Sequence, residues 1–168
     1  VPDVKKYLIK KGLPFKVLLL LDNAPGHPQD LKHENVEIVF LPKNTTSLLQ
    51  PLDQGIISTF KALYIKNTFR YILDQLENDG SLSIVDAWKK FTILDSVKHI
   101  GMTYLNIKKS TLHNCWKAVW PGVVEGENPK ISLQVEYSEI IELAYTLGGE
   151  GFQDLAEEDI IEIMKDQE

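Results

Sequence analysis

Only one cysteine, Cys115, stands in a chain of 168 residues. No internal disulfide can form, so packing must hold the fold, as in proteins of a reducing compartment. With a single cysteine and scattered histidines there is no zinc-ligand spacing. His113 and Cys115 lie two positions apart on a predicted helix and do not face each other, which argues against a Cys/His nucleophile. No Ser/His/Asp arrangement stands out either. Long apolar runs are also lacking: the longest is Val17-Leu18-Leu19-Leu20-Leu21, far short of a membrane span. There is no Gly-rich phosphate loop of the Walker or dinucleotide type. The first residues, Val1-Pro2-Asp3-Val4-Lys5-Lys6, carry no signal-peptide pattern and no initiator Met, so a fragment or processed chain is expected. Internal repeats and low-complexity tracts are absent.

What remains is an ordinary globular composition, 43% hydrophobic and 25% charged, long enough for a sizeable core. The length suggests one domain, or one domain plus an appendage. Charge is unevenly spread. Residues 1–123 hold 16 Lys/Arg against 11 Asp/Glu, whereas residues 124–168 hold 2 Lys against 13 Asp/Glu. The first part can approach a polyanion; the acidic tail repels one and offers a surface to protein partners. A plainly solvated surface accounts equally well for the charge alone.

Periodicity predicts a short helix over 2–11, with Pro2 early, Asp3 in the first turn and Gly12 as the stop. Residues 15–21 read as a fully buried strand and 36–41 as a second, closed by Pro42. A helical turn is expected near Pro28–Lys32. Residues 43–52 are turn-rich. A long helix is expected from about Asp53 to Glu77, then helices over 84–91, 92–106 and 108–119. Residues 124–130 read as a linker, followed by short amphipathic helices over 137–147 and 157–165. A buried strand, a crossover and a second strand indicate an α/β sheet.

Two carboxylates stand out. Asp22 ends the apolar run and opens Asp22-Asn23-Ala24-Pro25-Gly26-His27; Asp53 sits in Gln50-Pro51-Leu52-Asp53-Gln54-Gly55. A charged group at the end of a buried strand is costly unless it is paired or coordinates a metal. Paired carboxylates suit hard divalent cations and phosphoryl transfer. The plainer alternatives are that Asp22 terminates a strand at a turn and that Asp53 caps its helix. His27 and Gln50 are candidates to support the site, with ordinary surface hydrogen bonding as the alternative. Lys61, Lys66 and Arg70 lie along the long helix, followed by Lys89, Lys90, Lys98, Lys108, Lys109 and Lys117. Trp88, Trp116 and Trp120 are interleaved with them. Such a pattern suits phosphate contact and base stacking, although Trp88 and Trp116 at helical spacing fit a core better.

Two segments taken together, Asp22–His27 and Phe40-Leu41-Pro42-Lys43-Asn44-Thr45-Thr46-Ser47-Leu48-Leu49-Gln50-Pro51-Leu52-Asp53-Gln54-Gly55, resemble the DDE superfamily endonuclease domain of pogo/Tigger-type transposases. Its relatives include Tigger-derived proteins, jerky proteins and centromere protein B. The resemblance spans roughly residues 1–123, and Leu155–Ile160 resembles the acidic end of Tigger-derived proteins. It implies a ribonuclease-H-like fold, here partial with its first strands missing and followed by a helical C-terminal region at 124–168. It implies a triad of acidic residues binding Mg²⁺ or Mn²⁺ for DNA cleavage, with Asp22 matching the second and Asp53 the third. Nothing in residues 1–16 matches the first. The expectation is therefore a nuclear, transposase-derived DNA-binding protein, catalytically inactive as this chain. An active endonuclease with the first Asp supplied upstream, or an interaction module using the acidic tail, are the alternatives.

Overall fold

The structure is a computed structural model that describes residues 2–28, 30–43, 45–123, 133–149 and 151–164. The chain divides into two compact units, Val1–Gln50 and Pro51–Glu168.

The first unit opens with helix α1, Pro2–Lys10, which starts on proline and acid and ends on Lys10 as the helix dipole favours. Gly12, at φ +69°, turns the chain out of it. Strands β1 (Val17–Leu21) and β2 (Val36–Phe40) pair in parallel, with Val17 beside Val36 and Leu21 beside Phe40. Leu41 N–H donates to Leu21 O at 2.7 Å and extends the pairing just past β2. Helix α2, Thr46–Leu49, is a single turn that the polar, turn-rich reading of 43–52 does not anticipate.

Two expectations fail in this unit. The first strand is not fully buried: Leu18 and Leu19 of β1 are exposed, as is Val39 of β2. A two-stranded sheet has too few neighbours to cover two apolar faces. No described residue of 2–50 is fully buried. Nor do the described residues of 28–32 form a helical turn: Asp30 lies in a turn and Pro28, Leu31 and Lys32 in no regular element.

The second unit is helical. Leu52–Ile56 form a wide π-type turn, kinked at Gly55, that leads into α3, Ile57–Asn78. The expected long helix thus begins about four residues later than the sequence indicates. Helices α4 (Ile84–Lys90), α5 (Ile93–Asn106) and α6 (Lys109–Val119) follow close to their predicted bounds. A short turn at Pro121–Val123 ends this stretch. The expected linker at 124–130 lies outside the described residues. Helices α7 (Leu133–Leu147) and α8 (Glu157–Met164) complete the unit.

Helix α3 is the hub. Its Ala62 packs with Tyr137 and Ile140 of α7 and with Ile160 and Met164 of α8. Further along, Ile72 packs with Ala87 of α4 and Leu147 of α7. Phe69 sits against both clusters, edge-on to Trp88 and Phe152. Trp88 is core-associated, as its helical spacing indicates. No described helix is long and apolar enough to cross a membrane.

Candidate metal site and nucleic-acid interface

Asp22 follows the last residue of β1, at the carboxyl end of the parallel pair, where ligands of α/β sheets gather. Its Oδ1 is shut off from solvent and receives no well-directed hydrogen bond among the described residues. His27 Nε2 lies 2.9 Å from that same oxygen, so the turn at Pro25-Gly26 folds His27 back onto the carboxylate. His27 therefore neighbours Asp22, as proposed from their spacing. Gln50 Oε1, at the end of the same unit, is likewise buried without a hydrogen-bond donor. A buried carboxylate oxygen is a hard ligand of the kind that Mg²⁺ or Mn²⁺ takes, here with an imidazole nitrogen beside it. Among the described residues no group of three or more His, Cys, Asp or Glu is gathered for a metal ion.

Asp53 lies in the second unit, half-buried within the π-type turn. It does not cap α3. The cap position of that helix is Ile56 and that of the turn is Pro51, and neither is served by a side chain. Asp53 instead lies in the first turn of the π-type segment, where a helix terminus also favours a carboxylate. The turn owes its shape to Gly55, whose φ of +136° is open only to glycine at little cost. Gly55 O then accepts from Ser58 Oγ at 3.1 Å and Thr59 Oγ1 at 2.6 Å, which pins the start of α3. Single π-turns of this kind are frequent at functional sites. Gly55 belongs to the motif, but its role as the hinge of the Asp53 turn is readable only from backbone geometry.

Helix α6 backs this turn. Its fully buried Cys115 faces inward with Thr111. Burial pushes the Cys115 thiol up, against the opposing pull of backbone hydrogen bonds at Ile56 and Cys115 itself. The thiol is therefore a neutral packing group that ties α6 to the Asp53 turn.

The three basic candidates on α3 all meet the C-terminal helices. Lys66 Nζ donates to Glu136 Oε2 at 2.8 Å and contacts Glu139 as well, with its side chain only 12% exposed. Arg70 Nη2 lies 3.6 Å from Glu139 Oε2. Lys61 Nζ donates to the carbonyl of Met164 at 3.3 Å. Burial alone would lower the Lys66 pKa, but the hydrogen bonds and charges of Glu136 and Glu139 outweigh it and raise it. Glu139 is held below the usual carboxylate range by its hydrogen bond from Lys66, against slight desolvation and with help from the charges of Lys66 and Arg70. The acidic character of the tail was legible; that two of its carboxylates neutralise α3 was not.

The sequence matches the DDE superfamily endonuclease family over residues 4–116, which takes in Asp22, Asp53 and α6. The chain belongs to the DDE superfamily endonuclease family. Among its relatives, Jerky protein of Mus musculus is 29% identical over 140 residues, covering 81% of this chain and 23% of its own length. Tigger transposable element-derived protein 7 of Homo sapiens is 27% identical over 133 residues, covering 70% of this chain and 24% of its own. CENP-B homolog protein 2 of Schizosaccharomyces pombe is 27% identical over 123 residues, 68% of this chain and 23% of its own. The chain thus spans about a quarter of the length of these curated relatives. No solved structure matches it. The resemblance to pogo/Tigger-type relatives is confirmed, and with it the transposase-derived ancestry of this DDE domain.

Proposed function

We propose that this chain is a transposase-derived DNA-binding segment of a ribonuclease-H-like DDE domain, acting in the nucleus, that keeps two metal-ligating carboxylates and does not cleave DNA by itself. The observation that carries the reading is the buried Oδ1 of Asp22 at the carboxyl end of β1, with His27 Nε2 2.9 Å from it. The place of Asp53 inside the π-type turn, at neither cap position, supports it. Asp22 in the first unit and Asp53 in the second are each assigned as a carboxylate ligand for Mg²⁺ or Mn²⁺, an ion that would supply charge neutralisation to a phosphodiester and a more acidic bound water. His27 Nε2 steadies the Asp22 carboxylate at Oδ1, and Gly55 sets the backbone on which Asp53 is presented. Residues 1–16 offer no acidic group in a strand context, and a two-ion clamp normally takes a third carboxylate. Hence cleavage by these residues alone is not expected.

The test pairs Mn²⁺ binding, read by electron paramagnetic resonance, with plasmid nicking in Mg²⁺ or Mn²⁺. Weak Mn²⁺ binding that is lost in Asp22→Asn and Asp53→Asn, without nicking, is the expected result. Mn²⁺ binding unchanged in both variants removes the metal assignment. Nicking that disappears in Asp53→Ala would instead establish an active endonuclease.

A further inference from the structure

The lysines of this unit fall into two classes. Those on α3 meet the C-terminal helices, and those on α4 and α5 pair with neighbouring aspartates: Lys89 with Asp86 at 4.0 Å, Lys90 with Asp79 at 4.0 Å, Lys98 with Asp95 at 3.4 Å. Lys108 and Lys109, at the start of α6, have no acidic side chain within ion-pair distance among the described residues. Helix α6 itself contains no acidic residue. Lys108 and Lys109 also sit at the positive end of the helix, which carries no side-chain cap, so helix stability does not account for them. A local rule broken without structural gain points to a functional surface.

Their placement is directional. Lys109, His113 and Lys117 follow at i, i+4 and i+8, which is one face of α6, and Trp120 is the residue at which the helix ends. Thr111 and Cys115, buried, occupy the opposite face against the Asp53 turn. Trp120 is 49% exposed at the far end of the stripe. The span from Lys109 to Trp120 is about 16 Å at the α-helical rise. One strand of duplex DNA presents a phosphate about every 3.4 Å of axis, so the stripe can meet several.

We infer that α6, not α3, is the helix that contacts the DNA backbone, with Lys108 and Lys109 on phosphates and Trp120 against the sugar edge. The inference rests on the DNA-binding reading above and names the face that carries it. It places the backbone on the helix that supports Asp53.

The experiment is fluorescence anisotropy of the full chain with short labelled duplexes of several sequences, between about 50 and 200 mM salt. Lys108→Gln/Lys109→Gln is expected to weaken binding several-fold for every sequence and to lower the salt slope by about 2. Lys89→Gln serves as the control lysine and should bind as the parent chain does. Both lysines of the pair are exposed, and an unchanged circular dichroism melt confirms folding. Parent-like binding by the double variant, or a larger loss in Arg70→Gln, overturns the α6 assignment while leaving DNA binding intact. No binding by the parent chain at the lowest salt overturns both readings together.

Discussion

Gly55 carries a φ of +136° inside the turn that presents Asp53, and that one backbone angle governs how the motif is displayed. Any L side chain at that angle is strained, and the neighbouring Ser58 and Thr59 hydroxyls hold the carbonyl where it is. Gly55→Ala is therefore expected to destabilise the chain by more than about 1 kcal/mol, read as a lower denaturant midpoint. An unchanged midpoint would mean that the turn relaxes freely. At Asp22 the determining fact is different: a carboxylate oxygen cut off from water with His27 as its near neighbour. The residue types were visible in the sequence as candidates. Their roles depended on torsion angles and burial, which no residue identity encodes.

Helices α3 and α7 are joined by a polar bridge as well as by apolar packing. Lys66 holds Glu136 and Glu139, and the surrounding side chains leave it largely out of water. Because the folded-state pKa of Glu139 is depressed, its contribution is present above the ordinary glutamate range and is lost as pH falls through the folded value. Lys66 is raised, so its contribution is present below the ordinary lysine range and is lost only as pH rises through its higher folded value. The bridge is thus intact across neutral pH. Lys66→Ala should cost on the order of 1 kcal/mol at pH 7, between an exposed and a buried pair because Glu139 keeps some solvent. The difference from the parent chain should shrink as pH falls below about 4, the usual carboxylate range. A pH-independent difference in thermal melts would assign the loss to packing instead. Helix α5 shows how an element can be correctly placed while its inward face is set only by the fold. Its inward side is polar: Ser96 pairs with Tyr64 at 2.8 Å, Thr103 accepts from Asn67 at 3.1 Å, and His99 lies between the rings of Tyr71 and Phe91. Ile93 and Leu105 point outward at 85% and 80% exposure. The sequence located the helix; which of its sides faces inward is known only from the structure.

Across the whole molecule, burial is concentrated in one unit. Among the described residues, every fully buried one belongs to Pro51–Glu168 and none to the first unit. Residues 51–168 expressed alone should keep helical circular dichroism and a cooperative melt. Residues 1–50 alone should not, because a two-stranded parallel sheet with exposed leucines cannot offset its own ordering entropy. A cooperative transition in the short fragment would contradict this. Element order and most boundaries were legible because local periodicity, caps and turn residues act over a few positions: Thr92 and Asp95, for example, form the capping box that starts α5 where the sequence places it. The motif from Phe40 to Gly55 and the Asp22 segment determined the family by themselves, since two long patterns in fixed order need no coordinates. What only the tertiary structure decided is the use of charge and exposure. Pairing between Lys66 and the acidic helix α7 joins residues 70 apart in the chain. Solvent at Leu18 follows from how many strands surround it, and the lack of an acidic neighbour at Lys108 and Lys109 among the described residues is known only once the other lysines have found partners. These depend on long-range neighbours, which local sequence patterns do not specify.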